Sequence, residues 1–411
     1  MKTIVLFKTD LPTLNLFSRE LAEGFKEEGY DIFWFDITDS INAMSKLYNY
    51  MESHTIAAMV GFNSNVFGIK TPSGASVWET LGIPTINILV DNPFWYHKIL
   101  SSAPANGAIL CIDRNHMNFV QRFYPHIGIT GFLPHGGTFY KPGESNTSVA
   151  NTDRPYKPIK DRSIPVIYTG SFYADYANTQ KPDFSNISFD AEKINKNVID
   201  YLIANPNKTI EEVIEEQLHS NNINLSENQL LLYISANSYI ERIVSSYYRE
   251  KTLKSVAESG APLVIYGRGW ESCDWIKRDN VDYRGMISPE KVLEEIADSK
   301  ILLNSMPWFK DGSHERIFNA MLMGSVLATE TNPYISETLP EQSYISFSLN
   351  NLDKLGNDII EALKDEDKLQ SIADTAYGFA SKGQTWADRA KEICHDLLSC
   401  WNYIQKNCSD I

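Results

Sequence analysis

The chain has 411 residues, 43% of them apolar and 22% charged, with a net charge of −15. This length suits two or three domains, two if each is α/β, and the composition excludes long disorder and fibrous repeats. So acidic a balance does not suit wrapping of nucleic acid by counterion release, and no nucleic-acid partner is expected. A local basic pocket for a phosphorylated ligand remains compatible with it.

No apolar run reaches the roughly 18 residues that span a bilayer, so no transmembrane segment is expected. The N-terminal MKTIVLFKTD has a short apolar run, but Asp10 and Pro12 follow where a signal-peptide cleavage region would lie. It reads as a first buried strand. The five cysteines, Cys111, Cys273, Cys394, Cys400 and Cys408, are scattered and form no Cys-x-x-Cys pair. Neither a disulfide framework nor a zinc site is suggested. A reduced, cytoplasmic protein is the expectation.

Strand and helix signals alternate from the start. Residues 3–7 (TIVLF) are an apolar run of strand length. Residues 16–28 show helical spacing through Leu16, Leu21 and Phe25, Gly29 stops that helix, and 30–36 read as the next strand. Further apolar runs occupy 57–63, 84–93, 107–113 and 129–137. This rhythm implies parallel strands with helices on both faces. It gives a Rossmann-like domain over 1–145, without a Gly-x-Gly-x-x-Gly turn. Residues 146–163 are polar and aperiodic, and are expected to be a linker.

A second α/β series runs over 164–385 and opens with PVIYTGSFY (165–173). An insert at about 182–255, rich in Asn, Glu and Ile, has mostly helical patterns. The rhythm resumes with apolar runs at 262–270, 281–288, 300–306, 324–330 and 344–348. Ser288 and Pro289 open one helix, and 314–323 form another, ended by Gly324. Residues 386–411 read as a C-terminal helix that packs back on the N-terminal domain. The expected fold class is α/β: two Rossmann-like domains facing across a cleft, with a helical insert in the second.

In open α/β sheets ligands sit beyond the carboxyl ends of the strands. Four strand-end turns of the second domain therefore matter: Thr169-Gly170-Ser171, Gly267-Arg268-Gly269, Arg284-Gly285-Met286 and 306–315. Glycine lets backbone NH groups converge on phosphate oxygens, and Arg268 beside such a turn can hold a pyrophosphate by charge-assisted hydrogen bonds. Any one turn alone is an ordinary βα connection. In 307–335 a Gly-Ser turn enters a helix whose N-terminus suits a diphosphate. Ser313 and His314 lie at that terminus, Lys310 and Arg316 add positive charge nearby, and Asn319 is placed to reach a ribose hydroxyl.

The segment GSHERIFNAMLMGSVLATETNPYI resembles the donor-binding segment of GT-B glycosyltransferases, and more closely that of the CgeB-like subgroup of group 1 transferases. Upstream, YGRGW is similar to the subgroup's Gly-Lys/Arg-Gly-Trp turn. GQTWADRAKEI (383–393) is similar to its C-terminal His-Thr/Tyr-x-x-Arg-Ala pattern. The resemblance covers most of 165–393 and is architectural over 1–140. It implies a donor site built from Gly170, Ser171, Arg268, Gly269, Lys310, Asp311, Ser313, His314, Arg316 and Asn319. Many GT-B enzymes carry Glu-x7-Glu here, the second Glu on ribose and the first on the sugar. This chain has Asp311 and Asn319 at those positions, which leaves the donor sugar open.

In the first domain Asp91 follows a predicted strand. It is a candidate base for an acceptor hydroxyl, or else it caps the Asn-Pro turn through an Asx hydrogen bond. His135, flanked by Pro134 and Gly136-Gly137, is a second catalytic candidate in a cleft loop, although a lone histidine is more often structural. No metal constellation is seen, and none is needed where a helix end and basic side chains stabilise a departing diphosphate. The expected function is metal-independent transfer of a sugar from a nucleotide sugar, UDP-linked by preference. The hydroxyl acceptor is left open among protein, polysaccharide and small molecule. No cofactor is expected. A sugar-nucleotide epimerase or hydrolase of the same fold, and a catalytically silent surface protein, are the alternatives.

Overall fold

The computed structural model describes residues 2–63, 65–139, 155–173 and 179–401. The chain divides into two compact units, Met1–Thr138 with Gly383–Ile411, and Phe139–Lys382. Each is built on a six-stranded sheet whose pairings are all parallel.

In the first unit the strands are β1 (Lys2–Lys8), β2 (Asp31–Asp36), β3 (Thr55–Phe62), β4 (Thr85–Leu89), β5 (Gly107–Cys111) and β6 (Ile129–Phe132), in the order β2-β1-β3-β4-β5-β6. β4 and β5 are buried along their whole length; β5 accordingly reads as an unbroken apolar run, whereas β4 carries buried Thr85 and Asn87 among its apolar residues. Helix Pro12–Glu27 turns Leu14, Phe17, Leu21 and Phe25 inward at spacings of a helix face. Against it lies helix Trp386–Glu392 from the far end of the chain. The two helices approach so closely that a Cβ on Gly24 would stand 2.1 Å from the Ala387 carbonyl oxygen. Trp386 is fully buried and packs on Phe17 and Phe62, with ring centroids 4.8 and 5.2 Å apart.

The GQTWADRA segment thus has a structural reason to exist. Thr385 and Asp388 form a capping box, the Gly137 amide donates to the Gln384 carbonyl, and the Gly137 carbonyl accepts from the Trp386 amide. The Arg389 guanidinium donates to the carbonyls of Pro134 (3.0 Å) and His135 (3.2 Å). The sequence suggested one terminal helix over 386–411. Over the described residues it is an α-helix to Glu392 followed by a π-helical stretch Ile393–Leu398; 402–411 lie outside the described residues.

In the second unit the strands are β7 (Ile164–Thr169), β8 (Leu263–Tyr266), β9 (Val281–Gly285), β10 (Ser299–Leu303), β11 (Val326–Glu330) and β12 (Ile345–Phe347), in the order β12-β11-β10-β7-β8-β9. The chain winds outward from β7 through β8 and β9, then returns to β10 on the other side of β7. The topological switch point therefore lies between β7 and β10, and the crevice beyond their carboxyl ends is where such sheets bind ligands.

The expected linker 146–163 is corrected in part. Residues 146–154 lie outside the described residues, but 155–163 are packed into the second unit. Ile159 is buried, and buried Arg162 donates to the carbonyls of Lys157, Ser299 and Met323, each at 2.8 Å. The insert also ends earlier than expected. Helices Ala191–Ala204, Ile210–Ser220 and Glu227–Ala236 elaborate the unit. Helix Tyr239–Glu258 is instead the crossover that returns the chain to β8.

Candidate functional site

The switch point of the second unit is held by Arg316. This side chain is 5% exposed and comes from helix Glu315–Leu322. Its Nη1 donates to the Thr169 carbonyl at the end of β7 (2.8 Å), its Nη2 to the Ser305 carbonyl (3.1 Å) and its Nε to Asn304 Oδ1 (2.8 Å), both just past β10. One guanidinium thus ties together the two strand ends that flank the crevice. Burial, with the positive charge of Arg249 acting in the same sense, holds its pKa below the ordinary value.

Arg249 stands beside it. It lies on helix Tyr239–Glu258, is 8% exposed, and donates through Nη1 to the Ser171 carbonyl at 2.6 Å. Its guanidinium lies over the Trp308 ring at 4.4 Å. Among the described residues neither arginine has a carboxylate partner within ion-pair distance. A single buried arginine satisfied by carbonyls is compatible with a purely structural role, as Arg162 demonstrates. Two adjacent buried cations are different, because they repel in a low dielectric and favour an anion between or beside them.

Buried polar atoms without partners gather at the same strand ends: Arg249 Nε, Ser313 Oγ, Ser305 Oγ, Tyr168 OH and Glu330 Oε2. Folded proteins satisfy nearly all buried polar groups, so a cluster of unsatisfied ones marks a place where a polar ligand belongs. Glu330 closes β11, and its Oε1 accepts from the Met306 amide at 2.5 Å. Burial pushes its carboxyl up to about 7, against the downward pull of that amide and of Arg316.

His314 is the N-cap of helix Glu315–Leu322. Its Nδ1 stands 2.6 Å from Glu315 Oε2 and 3.4 Å from the Arg316 amide. Burial, then the charge of Arg316, pushes the imidazole down to about 4, so it is neutral at physiological pH. The helix end is thus capped by its own histidine, and the charge on offer to an anion comes mainly from side chains.

The glycine turns behave differently from the phosphate-cradle expectation. The amides of Gly170, Gly267 and Gly269 donate to Tyr266, Gly285 and Glu271, and that of Arg268 to Ser171 Oγ. Gly267, at φ +131°, is needed because a Cβ there would stand 2.2 Å from the Gly170 carbonyl oxygen. These glycines let two turns cross closely. Arg268 is exposed. Lys310 is half-buried, with its ammonium on the carbonyls of Pro206 and Pro307. Asp311 is half-buried and Asn319 buried. Trp270 is core, its Nε1 on the Gly170 carbonyl at 2.7 Å.

In the first unit Asp91 follows β4 and is exposed. Its Oδ2 accepts from Asn63 Nδ2 (3.0 Å) and from the Tyr96 hydroxyl (2.7 Å). Asn63 sits at φ +54° and also caps the Val90 amide through Oδ1. Two side chains, rather than an Asx bond to the following turn, orient this carboxylate, and Oδ1 is left to solvent. The cleft-loop expectation for His135 is corrected. Its ring is 2% exposed and packs edge-on to Phe17 and Trp386, with centroids 6.0 and 5.5 Å away.

Arg249 is the residue that motif reasoning missed. The signal was present, because Ser245, Arg249, Thr252 and Val256 share the buried face of one helix, and an arginine on such a stripe asks for an explanation.

The fold defined by these two parallel sheets with flanking helices is the GT-B fold of glycosyltransferases. Over 97% of this chain and 100% of the other, it is similar to HepE of Anabaena in complex with UDP and glucose, at 11% identity and a TM-score of 0.52. Sucrose-phosphate synthase of Thermosynechococcus elongatus matches over 100% of both chains, at 10% identity and a TM-score of 0.54. Residues 249–395 match the model of a family described as glycosyl transferase-like; the matched stretch begins at Arg249. No curated protein matches the chain. No helix among the described residues is long and apolar enough to cross a membrane.

Proposed function

We propose that the protein is a glycosyltransferase that moves a sugar from a nucleotide-diphosphate sugar to a hydroxyl acceptor, without a metal ion. The observation that carries this reading is the pair of buried arginines, Arg249 and Arg316, at the switch point of a GT-B unit. Their charge, with that of Lys310 and the solvent-facing Arg268, stabilises a departing diphosphate. Ser313 and His314 line the same site, and Asn319 takes the ribose. UDP is the first nucleotide to test, because HepE of the same fold binds it. The CgeB-like assignment rests on the motifs around Arg268, 312–335 and Arg389 taken together. Buried free cysteines Cys111, Cys273 and Cys394 support a reduced compartment.

In the reaction the acceptor oxygen bonds to the anomeric carbon. The bond from that carbon to the phosphate oxygen breaks, and the nucleoside diphosphate leaves with the electron pair. The acceptor proton passes to Asp91, whose carboxylate is pre-oriented by Asn63 and Tyr96. The test is turnover of a panel of nucleotide sugars with candidate acceptors. Asp91→Asn should slow transfer at least about 100-fold while leaving the Kd for the nucleotide sugar unchanged. Equal loss of both would make Asp91 structural, and no turnover of any nucleotide sugar would refute the transferase reading.

A further inference from the structure

Resting on that reading, we infer that Glu330 is the residue through which the site selects its sugar, its Oε2 accepting a hydroxyl of the group to be transferred. Glu330 is 5% exposed, forms no ion pair among the described residues, and leaves Oε2 buried and unbonded. Its orientation is fixed. Oε1 is taken by the Met306 amide, and the loop that supplies the amide is itself clamped. Asn332 Nδ2 holds the carbonyls of Phe309 (3.0 Å) and Gly312 (2.9 Å), and Asn304 Nδ2 holds Thr329 Oγ1 (2.9 Å). The loop has no slack with which to satisfy Oε2 from within the protein.

The chemistry of the orphaned atoms separates two parts of one ligand. Arg249 Nε is a donor and calls for an acceptor, which a phosphate provides. When ionised, Glu330 Oε2 is an acceptor and calls for a donor, which an ionised diphosphate lacks and a sugar hydroxyl has. The nearby cations that could have neutralised Glu330 have bonds elsewhere: Arg316 to Thr169, Ser305 and Asn304, and Lys310 to the carbonyls of Pro206 and Pro307. A buried acceptor left unbonded disfavours any donor sugar without a hydroxyl at that point, and such unmatched polar groups discriminate more strongly than apolar fit.

The experiment is calorimetry of UDP, UDP-glucose, UDP-galactose and UDP-N-acetylglucosamine with the full chain and with Glu330→Gln. Gln keeps the acceptor for Met306 and replaces Oε2 with a donor. We expect one UDP-sugar to bind the wild type more tightly than UDP does. Glu330→Gln should weaken that UDP-sugar about tenfold or more and change UDP by less than about twofold. Should the variant not fold, deoxy analogues of the preferred UDP-sugar on the wild type replace it, and one of them should show the same loss. Equal weakening of UDP and UDP-sugar assigns Glu330 to the loop or to ribose and overturns the inference, as does an unchanged UDP-sugar Kd or deoxy analogues that all bind like the parent. Failure of UDP itself to bind the wild type overturns the nucleotide-sugar reading, and this inference with it.

Discussion

Glu330 and His314 are titratable groups in one site that pull stability in opposite directions with pH. The Glu330 carboxyl is raised from 4.5 to about 7 by burial. Its contribution to stability is complete below pH 4.5 and is lost as pH rises toward 7. His314 is lowered from 6.5 to about 4. Its contribution is complete above pH 6.5 and is lost as pH falls toward 4. Each amounts to about 3 kcal/mol at most, so over the shared window they largely cancel. Removing one exposes the other. Glu330→Gln should lose stability more steeply than wild type between pH 7 and 4.5, and His314→Asn, which keeps an N-cap, should gain it on the same descent. Denaturant titrations at pH 7.0, 5.5 and 4.5 check this; parallel profiles for all three proteins would contradict the burial assigned to these groups.

At the scale of elements, apolar runs located the inner strands because these are buried on both faces, so unbroken apolar length rather than alternation carried the signal. β10 and β11 were legible for that reason, and so were Gly324 and the helix before it. What the sequence left hidden depended on contacts between distant segments. The helical insert masked the crossover Tyr239–Glu258, since a helical pattern does not say which helix covers the sheet, and Arg249 was lost with it. His135 looked like an open-loop residue from its Pro and Gly neighbours, whereas its ring is covered by Trp386 from the end of the chain. The Gly-Arg-Gly turn was found, but its glycines serve chain crossing rather than phosphate contact. The role given to the C-terminal segment is testable. Trp386→Ala, removing a fully buried indole packed on Phe17 and Phe62, should destabilise by about 3–5 kcal/mol. A loss below about 1 kcal/mol in urea unfolding would mean that the segment is peripheral to the first unit.

Taken whole, the molecule carries an acidic net charge of −15 yet buries at one switch point two arginines that have no carboxylate partner among the described residues. That local reversal of sign is the feature a diphosphate would recognise, and it predicts chemistry driven by side-chain cations. Donor turnover should therefore be unchanged by EDTA, and abolition by the chelator would point to a metal-dependent leaving-group mechanism. The most direct test of the central claim is calorimetry of UDP against uridine with the whole chain and with Arg249→Ala. The account predicts that UDP binds at least about tenfold more tightly than uridine, and that Arg249→Ala weakens UDP by about 1–3 kcal/mol while leaving uridine unaffected. UDP binding no tighter than uridine, or indifferent to the loss of Arg249, would contradict it.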